Sequence, residues 1–385
     1  MSRDHKPIDI IVISSYPPRE CGVATYTQNL CNILEYYNHE LKISIISPLE
    51  KEDNNKYPDK VINFIERDKI KSYKEIANHI NKINPDLVFL QHEFGLFGGQ
   101  DGKNILQLLK NLQVPVITYL HTIPLWTKSK NRENRIKILR KIFQTSRKII
   151  VPAKLIDQNI FSKSKIEYIN HGTPKIEKIN QTKAKKILGI KDKKIISSIG
   201  LINLHKGIDL IINALPRIIS KNKEVIYYII GRVHPKKEAE VNIYLNKINT
   251  KIKNLGIEKN VKRINRYLTE EELIQYFQAT DVYLTPYNVP KQVSSGTLAY
   301  AFACGRCVVS TPYIYAKELI GNNERGLLVN YNDSRDIAKK VNYILANPKK
   351  QQDIENKAYK FGRSTNWENI AKKHFKIFRE VLKNK

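Results

Sequence analysis

The sequence predicts two consecutive doubly wound α/β domains, each a parallel sheet covered on both faces by helices. Three observations carry this expectation. Short, almost continuously apolar runs rich in β-branched residues recur along the chain, as strands buried on both faces require. Stretches of helical periodicity separate them, the alternation that crossover helices impose on a parallel sheet. The series stops near the breaker Gly172-Thr173-Pro174 and then starts again. A chain of 385 residues has room for two cores at roughly 100–200 residues per domain.

In the first series the expected strands are Ile8 to Ser14, Lys42 to Ser47, Asp86 to Gln91, Val114 to Leu120 and Lys148 to Pro152. Helical patterns cover Thr25 to Tyr37, Tyr73 to Ile83 and Asn104 to Leu112. The second series places strands at Ile195 to Gly200, Val225 to Gly231, Val261 to Ile264, Asp281 to Thr285 and Cys307 to Thr311. Its helices cover Gly207 to Ile219, Lys236 to Leu255, Glu270 to Ala279 and Thr297 to Phe302. The resulting division is residues 1–172, residues 173–360 and a terminal helix over 361–385. In such folds ligands bind beyond the carboxyl ends of the strands. Two facing domains would form a deep cleft there.

Charge is the most conspicuous compositional feature, with 66 Lys+Arg against 37 Asp+Glu and a formal net charge of +29. Lysine predominates and is scattered through nearly every segment, and no zinc-finger, RRM or basic-heptad pattern accompanies it. A solvated coat is therefore the preferred reading, ahead of an anionic membrane and of specific nucleic-acid binding. The densest basic stretch, residues 132–148, is amphipathic, with Ile136, Leu139, Ile142 and Phe143 on one face. It either packs on its own sheet or docks on an anionic membrane. Four cysteines do not make a disulfide scaffold. No apolar run approaches the ~20 residues that span a bilayer, and MSRDHKPIDI lacks an apolar signal core. The expectation is a cytoplasmic enzyme, peripheral at the inner membrane face if the basic helix docks.

Three loops at strand ends carry candidate chemistry. The first, Ser14 to Thr27, combines Pro17-Pro18 with Gly22 at a helix start, where unpaired amides can meet an anion or a sugar. The second places Gly200 after a strand and Lys206-Gly207 at the next helix start, with Lys206 as a point charge beside amide donors. The third offers Ser294, Ser295, Gly296 and Thr297 at a helix N-terminus, flanked by Gln292 and Tyr300.

The spacing of Gly200, Lys206-Gly207, Asp281-Val282, Pro286, Ala303-Cys304-Gly305, Val308-Val309, Glu318 and Gly326-Leu327 resembles the donor domain of the family 4 retaining glycosyltransferases, which have the GT-B fold. Residues 17–27 (PPRECGVATYT), Gln91 to Gly95, His121-Thr122 and Ile169 to Gly172 fit the acceptor-side domain of that family. The resemblance covers essentially the whole chain, including a terminal helix with Trp367 and Phe375 that in this fold crosses back to the first domain. Two departures stand out. Leu201 occupies the place of a diphosphate-binding Arg, and Gln292 and Tyr300 replace a pair of Glu that holds donor sugar and ribose. Arg232 or the Ser-Ser-Gly-Thr amides could compensate for the missing Arg.

The resemblance implies a metal-independent, retaining hexosyl transfer from a nucleotide diphosphate sugar, with GDP-mannose as the leading donor and a glycan or lipid-linked saccharide as acceptor. No metal site and no cofactor beyond that donor substrate are expected. His121, Lys206 and Gln292 are the catalytic candidates, and Tyr267 lies where the family contacts the base. Gln91 and Glu93 would bind the acceptor. A disaccharide phosphorylase on the same fold and a non-catalytic basic binding module are the alternatives. Cys304 and Cys307 form a CxxC that this resemblance places on packed elements, not in a redox site.

Overall fold

The computed structural model describes residues 7–50, 56–123, 132–154, 163–233 and 238–383. It divides into two compact units, one formed by Met1–Gly172 with Trp367–Lys385 and the other by Thr173–Asn366. Both are α/β with parallel sheets, of seven and six strands.

The first unit runs β1 (Ile8–Ile13), α1 (Gly22–Tyr37), β2 (Leu41–Leu49), β3 (Val61–Glu66), α2 (Ile70–Ile83), β4 (Leu87–His92), α3 (Ile105–Asn111), β5 (Val116–Leu120), α4 (Arg132–Thr145), β6 (Lys148–Val151) and β7 (Ile166–Tyr168). The spatial order is β3-β2-β1-β4-β5-β6-β7. The order reverses between β1 and β4, so their carboxyl ends flank the crevice where ligands enter such sheets. β3 escapes the sequence reading because it is a partly exposed edge strand whose apolar run Asn63 interrupts.

The second unit begins with α5 (Gln181–Ile187) and β8 (Lys194–Ile199), followed by α6 (Ile208–Ile219), β9 (Val225–Ile230), α7 (Glu238–Asn254) and β10 (Val261–Ile264). It continues with α8 (Glu270–Ala279), β11 (Val282–Thr285), α9 (Gly296–Ala303), β12 (Cys307–Ser310), α10 (Ile314–Ile320), β13 (Leu327–Leu328), α11 (Ser334–Ala346) and α12 (Pro348–Ser364). Its order is β10-β9-β8-β11-β12-β13, with the reversal between β8 and β11. Local signals set several boundaries. Thr269 and Glu272 form a complete capping box at α8, and Asp333 caps α11. Asp281, at the amino end of β11, accepts from the Ile195 amide at 2.7 Å and from Lys185 Nζ at 2.6 Å. This buried carboxylate is structural and sits at the opposite end of the strand from the ligand side.

The last helix, α13 (Trp367–Lys383), belongs to the first unit, and residues 361–366 stay with the second. Trp367, Ile370, Ala371, Ile377, Phe378 and Val381 enter the core formed by β1, β2, β4 and β5 with α1. A Cβ on Gly172 would lie 2.1 Å from the Trp367 ring, so the chain passes there only as glycine. The basic helix α4 uses its apolar face internally. Ile138, Leu139 and Ile142 are buried, whereas Ile136 and Phe143, expected on that face, are half-exposed. Arg135 is tied to Asp101 at 2.6 Å and lies 5.2 Å from the Phe94 ring centroid. No helix among the described residues is long and apolar enough to cross a membrane.

Four histidines of the first unit are neutral imidazoles, three of them buried and His171 half-buried. Burial lowers His92 and His121 to about 3 and His171 and His374 to about 4. His374 Nδ1 donates to the Ile370 carbonyl at 2.8 Å, and its ring stacks on Tyr119. In the unfolded chain these rings take up protons below about pH 6.5. The unfolded state then binds more protons, so the stability present above that pH is lost as the pH falls toward 4. The melting temperature should therefore drop steeply across that window, and His374→Leu should flatten the slope. An unchanged slope in calorimetric scans of His374→Leu would count against this account.

Candidate active site

The chemistry of the second unit gathers at the carboxyl ends of β8, β9 and β11. Gly200 and Gly231 follow β8 and β9 with φ of 118° and 125°, values that L side chains rarely adopt. A Cβ on Gly231 would lie 2.3 Å from the Gly200 carbonyl oxygen. One on Gly200 would lie 3.2 Å from Thr297 Cγ2 and 3.4 Å from Lys206 Nζ. The two glycines thus let neighbouring strand ends touch and open a floor on which Lys206 and Thr297 converge.

Lys206 ends a short 3₁₀ turn, Leu204–Lys206, whose Asn203 side chain accepts from the His205 amide at 2.9 Å. Gly207 then starts α6 at φ 66°, and its missing side chain lets it pack 2.3 Å (measured from an ideal Cβ) from the Pro286 carbonyl oxygen. Lys206 Nζ donates to the Tyr287 hydroxyl at 2.7 Å and lies 4.3 Å from its ring centroid. Tyr287 stacks on Tyr313, with centroids 5.3 Å apart and 11° between planes. Burial pushes the Tyr287 phenol up, but the adjacent Lys206 ammonium and the hydrogen bonds it receives outweigh that, leaving it below the usual tyrosine value.

Ser295 caps α9, its Oγ accepting from the Leu298 amide at 3.3 Å. Thr297 Oγ1 lies 3.4 Å from Ser295 Oγ and 3.5 Å from the Tyr287 hydroxyl. An ammonium and the amino end of an eight-residue helix therefore meet at one place, an arrangement suited to an anion. Gln292 and Ser294 lie on the loop entering α9, where Gln292 Nε2 donates to the Ser294 carbonyl at 2.8 Å. Arg232 directly follows Gly231, and its carbonyl accepts from the Ile202 amide at 2.9 Å, which sets its backbone beside the Leu201–Ile202 loop. Tyr300, one turn into α9, donates to the carboxylate of Glu270 at the start of α8. Tyr267, 38% exposed, lies on the loop before that helix.

In the first unit the structure joins Gln91 and His121, at the ends of β4 and β5. His121 Nε2 and Gln91 Oε1 are 2.7 Å apart, and the neutral ring donates to the amide oxygen. Gln91 Nε2 is buried without a hydrogen-bond partner, as are both ring nitrogens of His92. His92 points to the other face, against Phe94 and Phe97. Glu93 is raised by burial, against the opposing hydrogen bonds from Thr122 and the amides of Phe94 and Gly95 and the charge of Arg135. Gly22 opens α1 after the Cys21 cap, and a Cβ there meets nothing within 4 Å.

Residues 180–361, nearly all of the second unit, match the family described as "Glycosyl transferases group 1". The protein carries a glycosyltransferase group 1 domain. Its fold is GT-B, as in sucrose-phosphate synthase from Thermosynechococcus elongatus, with a TM-score of 0.80, 16% identity and coverage of 98% of this chain and 100% of that one. HepE from Anabaena in complex with UDP-glucose is similar at a TM-score of 0.74 and 14% identity, covering 98% and 100%. A Rickettsia africae glycosyltransferase matches at 0.74 and 16%, covering 99% and 100%. No curated protein matches the chain by sequence.

The CxxC holds no thiol poised for redox work. Burial pushes the Cys304 thiol up to about 12 and raises that of Cys307, and all four cysteines are free. Two residues of the site escaped the sequence reading. Tyr287 directly follows Pro286 at a strand end, so its position was a usable signal. Glu270 lies inside a legible capping box, but its pairing with Tyr300 depends on how α8 and α9 pack.

Gly231→Ala should damage this floor more than its size suggests, because it combines a forbidden φ with a clash against backbone. A loss of ~1–3 kcal/mol in chemical denaturation is expected, together with weakened pyrophosphate binding. Gly22→Ala, in open space, should change stability by less than ~0.5 kcal/mol.

Proposed function

We propose that the enzyme transfers a hexosyl group from a nucleoside diphosphate sugar to a glycan or lipid-linked saccharide, with retention of configuration and without a metal. The observation that carries this reading is the convergence of Gly200, Lys206 and Thr297 on the amino end of α9. A leaving diphosphate develops charge as the sugar departs, and a fixed ammonium and helix amides stabilise that charge more than they stabilise the intact donor. The bond from the anomeric carbon to the diphosphate oxygen breaks while the acceptor oxygen bonds on the same face. The acceptor proton passes to the leaving phosphate oxygen, so no separate carboxylate base is needed.

The remaining residues take supporting roles in this reading. Ser294, Ser295 and Gly296 shape the anion site, Gln292 offers an uncharged hydrogen bond to the donor sugar, and Arg232 adds charge beside Leu201. The ribose hydroxyls go to Tyr300 together with Glu270, which returns from α8 a carboxylate that α9 lacks. Tyr267 faces the base. Gln91, Glu93 and His121 supply sugar-hydroxyl contacts in the first unit. A lipid-linked acceptor would lie at a membrane surface, toward which the exposed Arg132, Arg140, Lys141 and Arg147 supply charge.

The deciding experiment is a thermal-shift panel of UDP, GDP, ADP and phosphate. GDP-mannose is the donor favoured from the sequence, and UDP-glucose is the one bound by HepE. A nucleotide at 100 times its Kd should add ~2.7 kcal/mol to stability, and Lys206→Ala should reduce the shift strongly while leaving measurable residual binding. A flat response to every nucleotide overturns the reading, and phosphate-dependent sugar release without nucleotide marks a phosphorylase. Glu270→Gln should weaken the preferred nucleoside diphosphate roughly tenfold while leaving pyrophosphate affinity unchanged. Equal losses for both ligands in calorimetric titration would exclude the ribose role.

A further inference from the structure

Among the described residues Lys206 brings an ammonium to the anion site, yet a lysine carries a flexible four-carbon stem and no planar fork to fix its direction. Something else must aim it. In this structure the neighbour is a buried phenol. The Tyr287 oxygen accepts from Nζ at 2.7 Å, and the ammonium lies 4.3 Å from the ring centroid, displaced toward the oxygen end of the ring.

Tyr287 is itself held from three sides. Its ring lies flat on Tyr313, its amide donates to the Thr285 carbonyl at 2.8 Å, and its carbonyl accepts from Thr311 Oγ1 at 2.7 Å. The hydroxyl lies 3.5 Å from Thr297 Oγ1, on the helix that forms the other half of the site. Only 3% of the residue is exposed, so the phenol cannot swing away to water. This grip is more elaborate than core packing needs. A buried phenylalanine would fill the same space, whereas a buried hydroxyl needs partners, and the shortest contact among its partners Lys206, Thr297 and Tyr283 is the one with Lys206.

We infer that Tyr287 is a positioning residue that holds the Lys206 ammonium at the amino end of α9, so that the diphosphate meets a pre-aimed charge. The inference rests on the donor reading above and adds to it the residue that fixes the geometry. Tyr287 does not touch the reacting atoms. Its effect passes through Lys206, by sparing the ligand the cost of ordering a long side chain. The ammonium keeps two further hydrogens for phosphate oxygens.

A double-mutant cycle tests this on the full-length protein. Pyrophosphate, UDP and GDP affinities are measured calorimetrically for the wild type, Tyr287→Phe, Lys206→Ala and the double variant, with the melting temperature of each. Tyr287→Phe keeps the stacked ring and removes only the oxygen. It should weaken pyrophosphate and the preferred nucleoside diphosphate by the same factor, roughly tenfold, with little change in melting temperature. In the Lys206→Ala background it should weaken neither further. Tyr287→Leu, lacking ring and oxygen, should show at least the loss of Tyr287→Phe. Additive losses in the double variant, or unchanged affinity in a folded Tyr287→Phe, overturn the positioning role and leave the donor reading standing. A wild type that binds neither pyrophosphate nor any nucleoside diphosphate overturns both.

Discussion

The contact on which the second unit's site depends is between two backbones. Gly231 approaches the Gly200 carbonyl so closely that a single added carbon would lie at 2.3 Å. Parallel strands end side by side, and their loops must leave in a way that keeps the strand-end floor open. Glycine at positive φ allows both chains to turn at once. Lys206 and Thr297 then stand directly over Gly200. Any side chain there would crowd both of them.

Electrostatics in the two units follows opposite rules. In the second, one cation is placed beside a helix end and a phenol, a grouping that attracts anions. In the first, histidines, tyrosines and a tryptophan pack closely between α1, β5 and α13, with Tyr26 and His121 centroids 5.1 Å apart and Tyr26 and Trp367 5.2 Å apart. Burial there keeps the imidazoles neutral, so they act as hydrogen-bond groups and not as cations. The Gln91–His121 pair is therefore suited to hydroxyls, whereas the Lys206 site is suited to phosphates.

The net charge of +29 plays little part in this chemistry. Several basic side chains are committed to local ion pairs, Arg135 with Asp101 and Lys185 with the buried Asp281 among them. Arg306, at 2% exposure, serves carbonyls of Cys304, Gln278 and Thr280. Lys206 instead lies beside the Tyr287 hydroxyl near the amino end of α9.

What was legible in the sequence was periodic or positional. Buried parallel strands read as apolar runs, and the loops after them could be named because ligands bind at strand ends. Gly200, Lys206 and the Ser295–Thr297 turn follow from that. Edge strands β3 and β13 were missed, the first because Asn63 breaks its apolar run and the second because it has only two residues. The helices α5, α10, α11 and α12 were not read either. Pairings across elements were not legible at all. Lys206 with Tyr287 spans 81 positions, Tyr300 with Glu270 spans 30, and His121 with Gln91 also spans 30. The sequence alone determined two α/β units and the loops where their chemistry lies. Only the tertiary structure decided which side chain aims which, because a hydrogen bond between distant residues depends on how the sheet brings strand ends together, and no local pattern encodes that.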